Sequence, residues 1–257
     1  MSLFFCKILL TPLLIVGATL ITRRWGPTVG GWFVGLPLTS GPIAFFLSLE
    51  QGAEFAAASA ANSLIGQCGI AVLSIIYAKS ARGNAWLRSS CLALAVYFPA
   101  MELISLVSSG LPLACSLTFG FQFATLLIVG RPAAGLVARD SPWWDLPVRM
   151  GVAVTVVLSI TGFAVVLGPK WSGLLAPFPA FTLIMTAFSH RQYGPAAAHQ
   201  FLYGVVVGAF GSIVFFCIVA FGLTSLGIPA TFLFAVSTTF AVNGLILTLM
   251  LRRQRGH

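Results

Sequence analysis

The sequence predicts an all-α polytopic membrane protein of about nine transmembrane helices in a four-plus-one-plus-four inverted repeat. Three observations predict it: an apolar composition, a one-sided distribution of positive charge, and a segment that recurs 142 residues later. Hydrophobic residues make up 58% of the chain and charged residues only 7%, with a mean hydropathy of +1.00. Soluble domains carry roughly 25% charged residues, so this chain cannot cover itself with a water-facing surface.

Helices of about 17 to 25 apolar residues cross a bilayer, and nine such runs are present: 2–22, 28–49, 54–78, 88–107, 110–130, 146–167, 171–189, 196–222 and 227–251. They are continuous rather than alternating, which argues against a β-barrel. The first run ends at Arg23-Arg24 and has neither a basic leader nor a small-x-small cleavage site. It is therefore read as a retained helix and not as a signal peptide. The longest polar connection, around Arg131 to Asp145, leaves no room for a soluble domain.

Nine crossings put the loops holding twelve of the fourteen cations on one side, with only Lys7 and Lys170 opposite. The positive-inside rule then sets the N-terminus outside and the C-terminus in the cytoplasm. Eight or ten crossings would scramble that bias. The net charge of +9 is thus a topology signal, and no nucleic acid is expected as a partner. Lys7 and Arg149 are expected to be snorkelling anchors near helix ends.

The repeat supplies the architecture. A shift of 142 carries Gly26–Gly66 onto Gly168–Gly208 without gaps, and Gly26, Pro27, Gly31, Pro37, Phe46, Gly52, Ala56 and Gly66 fall on identical residues. Most are Gly or Pro, placed for backbone reasons rather than for apolarity. The shift maps the first four runs onto the last four. The expected organisation is a first repeat at 1–109, a linker helix and loop at 110–145, and a second repeat at 146–257. Because the period contains five crossings, the second copy enters the membrane upside down, an arrangement common in secondary transporters.

The second and seventh runs hold the sharpest polar constellation. Gly35-Leu36-Pro37-Leu38-Thr39-Ser40-Gly41-Pro42 interrupts one and Pro177-Phe178-Pro179-Ala180-Phe181-Thr182 the other, with Pro-x-x-Ser/Thr in register. Proline removes an amide donor and strands carbonyls, which in hydrocarbon must be satisfied by protein or by a water-filled cavity. Paired breaks in two halves point to a transporter's midplane site; the alternative is a plain kink with hydroxyls bonded back to their own helix. Pro37, Thr39, Ser40, Gly41, Pro179 and Thr182 are the candidate solute-binding residues. Glu102, inside the fourth run, is the one acid placed within the hydrocarbon. A charge there costs roughly 2.5 to 3.5 kcal/mol, so it is expected to face a cavity, find a partner or go neutral. That makes it the candidate proton-coupling group, against a structural carboxyl as the alternative.

Gln122 and Asn243 are further candidates for lining a cavity, as are Asn62, Gln67, Thr238 and Thr239, each equally readable as interhelical glue. Gly31-x-x-x-Gly35 and Gly204-x-x-x-Gly208 fit close helix packing. His190 and Arg191 read as a solvated helix end, and three scattered histidines make no metal set. The five cysteines are widely spaced and read as small packing residues. Catalytic and nucleotide-binding motifs are missing, so neither an enzyme nor a cofactor is expected.

These observations lead to the expectation of a secondary transporter of a small solute in the cytoplasmic (inner) membrane. Its partners would be that solute, a proton as coupling ion and membrane lipid, and the architecture is compatible with a homo-oligomer. A channel or uniporter, or a membrane-embedded lipid-handling enzyme or assembly subunit, are the alternatives.

Overall fold

The computed structural model describes residues 2–107, 110–132, 144–167 and 179–255. Ten helices and no strands occur among the described residues: α1 Ser2–Trp25, α2 Pro27–Val34, α3 Ser40–Gln51, α4 Ala53–Ser80, α5 Trp86–Val107, α6 Leu111–Val129, α7 Asp145–Leu167, α8 Ala180–Tyr193, α9 Pro195–Leu226 and α10 Ile228–Arg255. Five of them, α4, α5, α6, α9 and α10, contain stretches long and apolar enough to cross a membrane. The outer surface carries large apolar side chains at high exposure, among them Leu106 at 75%, Leu233 at 72% and Phe240 at 68%. Water would penalise such a surface and lipid does not. The chain is a helical membrane protein.

The second apolar run is not one helix. It divides into α2 and α3, separated by non-helical backbone at 35–39. At 1.5 Å per residue their eight and twelve residues rise roughly 12 and 18 Å, so only the two together approach the roughly 30 Å hydrocarbon core. In the seventh run the described part, α8, begins at Ala180 directly after Pro179; Pro177, Phe178 and Lys170 lie outside the described residues.

Three helix boundaries recur 142 residues later: Gln51, Ala53 and Trp86 bound α3, α4 and α5, and Tyr193, Pro195 and Ile228 bound α8, α9 and α10, whereas the C-terminal ends of α4 and α9, Ser80 and Leu226, do not match. The turns agree as well. Gly52, between α3 and α4, has φ 88 and ψ 169, and Gly194, between α8 and α9, has φ 84 and ψ 179. That region of backbone space is open to glycine almost alone, so one residue reverses the chain between two helices.

Helix α9 forms the centre. At 32 residues it is roughly 48 Å long and packs against α2, α4, α6, α8 and α10. Three apolar clusters surround it. Ile213, Phe216, Val219 and Leu223 meet α4, α10 and the middle of α3; Leu202 meets Tyr77, Tyr97 and Met101 of α4 and α5; Phe201 and Val205 meet α1, α7 and α8.

The contact of α9 with α2 joins the two glycine pairs noted in the sequence. A Cβ at Gly204 would strike the Thr28 carbonyl, one at Gly208 the Trp32 carbonyl and one at Gly31 the Phe201 carbonyl, while one at Gly35 would lie 2.6 Å from the Val205 carbonyl oxygen. These obstacles are backbone and cannot rotate aside. Gly208→Val should therefore separate α2 from α9 and sharply lower the yield of monodisperse protein in size-exclusion chromatography. Gly244→Ala, which meets nothing within 4 Å, should leave that yield unchanged.

Two sequence expectations need correction. Arg149 is not a snorkelling anchor: it is 2% exposed, inside a buried ion network, because Asp145 one turn earlier offers it a partner. The side chain of Lys7 lies outside the described residues. His190 is not a solvated helix end either. It is 7% exposed, and its Nδ1 stands 3.3 Å from the Tyr77 hydroxyl across the α4–α8 contact. Arg191 does remain exposed, over the Trp86 ring.

Candidate functional site

Two helix starts define the site. The break at 35–39 ends at Thr39, the N-cap of α3, which makes no side-chain capping bond; α8 starts behind Pro179, whose side chain has no acceptor with which to cap. Unwinding α2 at Gly35 frees carbonyls, and α9 takes one of them: the Ser212 hydroxyl donates to the Gly35 carbonyl at 2.6 Å. Such rescue by a neighbouring helix is what allows broken backbone at membrane depth.

A cavity of about 820 Å³ opens at these two helix starts. Thr39 and Ser40 line it from the first break, and Pro179 and Thr182 from the start of α8. Asn62 and Gln67 of α4 face it, as does Glu102 of α5. Ile43, Ile70, Met101, Phe181 and Phe216 provide apolar wall. Glu102 is the one charged side chain among the described residues that line it, and no lysine or arginine does. The Thr182 side chain is buried, and its carbonyl accepts the Thr186 hydroxyl one turn later. Gln67 is 8% exposed, and its Oε1 has no hydrogen-bond partner.

The remaining expected residues lie elsewhere. Pro37 and Gly41 face away from this cavity, toward a smaller apolar pocket of about 520 Å³ walled by Phe45, Phe215, Phe232 and Phe240. Thr239 lines that second pocket. Gln122 of α6 is 1% exposed and donates to the Val206 carbonyl of α9. Asn243 is equally buried and donates to Thr239 of its own helix, its amide held against Gly211 of α9. Both act where interhelical contact is closest, outside the cavity. Asn62 and Gln67, which the sequence ranked lower, are in it. They stand five residues apart on α4, not at the i, i+3 or i, i+4 spacing that shares a helix face, so no sequence signal marks them as neighbours.

A second polar cluster, absent from the sequence reading, ties α1, α7 and α8 together. Asp145 is fully buried; Arg149 Nε lies 2.8 Å and Arg23 Nη2 2.9 Å from its carboxylate oxygens. Gln192 completes the ring, accepting from Arg149 Nη2 at 2.8 Å and donating to Asp145. Arg149 also stacks on the Phe188 ring with its guanidinium carbon 4.9 Å from the centroid. Asp145 sits at the first residue of α7, outside the apolar run 146–167, where an acid also complements the helix dipole. Burial alone would push its carboxyl up, but the bonds and charge of Arg149, with Arg23 and Gln192, hold it below the ordinary value. This ring contains no cavity-lining residue and holds three helices together.

Cys115 of α6 and Cys217 of α9 bring their sulfurs within 3.0 Å. Among the described residues no group of three His, Cys, Asp or Glu side chains is placed to hold a metal ion. The chain matches no family model, and comparison with curated proteins and with solved structures finds no match.

Proposed function

We propose that the chain is a secondary transporter that moves a small solute through the cavity between the α2–α3 break and the start of α8. The observation that carries this reading is that the α2–α3 break and the start of α8, whose Ser40 and Thr182 lie 142 residues apart in sequence, border one cavity that also holds Glu102. Polar groups at membrane depth are costly and are kept where they line a path for solutes or protons. Glu102 is assigned the proton, as the one charged group among the described residues that line the cavity. The solute then moves with or against the proton gradient.

The architecture in this proposal is nine crossings, with α2 and α3 together forming the second and α8 completing the seventh. Helices α1–α5 and α7–α10 would be inverted copies joined by α6. The matched helix ends and the paired glycine turns support the duplication; the charge bias supports an outside N-terminus and a cytoplasmic membrane location. Reporter fusions after residues 24, 84, 139 and 191 should read cytoplasm, and fusions near 52, 109, 170 and 224 should read outside. A cytoplasmic signal at residue 52 removes the inversion. For transport itself, the purified protein in liposomes with an imposed pH gradient should dissipate that gradient when a mixed pool of solutes is added. Solute movement without proton movement would instead identify a uniporter or channel, and no movement of any solute a protein that does not transport.

A further inference from the structure

We propose that Cys115 and Cys217 form a modification site, at which exchange with a small-molecule or protein disulfide closes a reversible bond between α6 and α9. The proposal does not depend on the chain being a transporter. The two sulfurs, 102 residues apart in sequence, lie 3.0 Å apart, about 1 Å beyond a bonded S–S separation. Both residues are half-buried, whereas Cys68 is 1% exposed and meets the Thr118 hydroxyl instead.

The surrounding contacts hold the pair in place. Two turns further along α6, the Gln122 amide donates to the Val206 carbonyl, three turns back along α9, so the helices pass antiparallel and are pinned a second time. On its other side α6 meets α4, where the Thr118 hydroxyl lies 3.0 Å from the Leu64 carbonyl. Both cysteines pack on the apolar cluster that contains Leu64, Ile213 and Phe216. Packing alone asks only for small side chains here, as Ala60 and Ala220 supply in the same cluster. Two thiols in contact add a reaction.

That reaction is two exchange steps. Cys115 is the entry point, four residues inside the start of α6 and so about 6 Å from that helix end. Its thiolate attacks one sulfur of the reagent RSSR, giving a Cys115–S–SR mixed disulfide and releasing RS⁻. The Cys217 thiolate then attacks the Cys115 sulfur, forming the Cys115–Cys217 bond and expelling the second RS⁻. The reagent takes up two electrons, and the two protons given up by the cysteines leave on two RSH. Because Cys217 already stands in contact, the second step is intramolecular and outruns attack by further reagent. The nine-crossing reading places these ends of α6 and α9 outside, where disulfides persist. The bond fixes α6 to a cavity wall, since Phe216, beside Cys217, lines the cavity.

The purified full chain, first reduced and then incubated with glutathione disulfide, can be quenched with a maleimide and mapped by mass spectrometry. The expected product is a linked Cys115–Cys217 peptide pair, with two fewer maleimide adducts at these positions and both restored by dithiothreitol. Cys217→Ser should trap glutathione on Cys115, because the resolving thiol is gone. The linked form should also melt above the reduced one, since the bond closes a long loop in the unfolded chain. Cys115→Ser, treated identically, should show no such rise. If neither serine variant folds, the peptide map and the melting shift of the native chain decide alone. Absence of the linked pair, glutathione retained on Cys115 or Cys217 of the native chain, or equal melting of the linked and reduced forms overturns the proposal.

Discussion

Arg149→Met should unfold the α1–α7–α8 junction at a cost of about 3–5 kcal/mol, the range found when one member of a buried ion pair is removed. The substitution keeps a long apolar stem but leaves Asp145, which is fully buried, with the Gln192 amide and one charged partner, Arg23, whose side chain is 31% exposed. Removing both charges should be far milder: Arg149→Met with Asp145→Leu leaves no buried charge uncompensated and should recover most of the loss. Denaturant midpoints of the purified proteins measure the cycle. A single Arg149→Met variant as stable as the native chain would show that the ring carries little stability. The pH dependence has a definite sign. Asp145 is held below its ordinary value, so its contribution is fully present above the unfolded pKa. It is lost as pH falls through the lower, folded value. The stability difference between the native chain and Asp145→Asn should therefore shrink in acid and stay constant at neutral and higher pH.

Glu102→Gln should reduce proton-driven accumulation to the level of protein-free liposomes while preserving solute-induced stabilisation. Glutamine keeps the length and hydrogen-bonding capacity of a neutral carboxyl but cannot release a proton. Glu102 is the charged group among the described cavity-lining residues, which otherwise offer hydroxyls, amides and apolar wall. Accumulation equal to that of the native protein would make Glu102 structural and favour the uniporter. Loss of stabilisation together with accumulation would instead make it a binding group.

The legible markers were steric. Proline and glycine at 35–42 interrupt the second run and Pro179 directly precedes α8, so the helix starts at Ser40 and Ala180 could be anticipated, as could close packing at the two glycine pairs. The direction in which a side chain leaves an irregular segment was not legible. Ser40 and Gly41 are adjacent, yet Ser40 turns into the cavity and Gly41 toward Phe215. Nor does composition rank buried polar residues. Gln122 and Gln67 sit in similar apolar runs, but Gln122 meets the Val206 carbonyl across a tight contact while Gln67 is part of the cavity wall. The Asp145 ring was missed for a related reason. It joins residues from 23 to 192 through tertiary contact, and only the Asp145–Arg149 spacing of one helical turn hinted at it.

If the starts of α3 and α8 border one aqueous cavity, then in a variant stripped of its native cysteines Ser40→Cys and Phe181→Cys, both partly exposed and both lining it, should each react with a water-soluble maleimide in the membrane. Leu233→Cys, 72% exposed on the outer face of α10, should react slowly, since thiolate formation needs water. Comparable fast labelling at 40 and 181 is the expected result. Labelling at either position as slow as at 233 would contradict it.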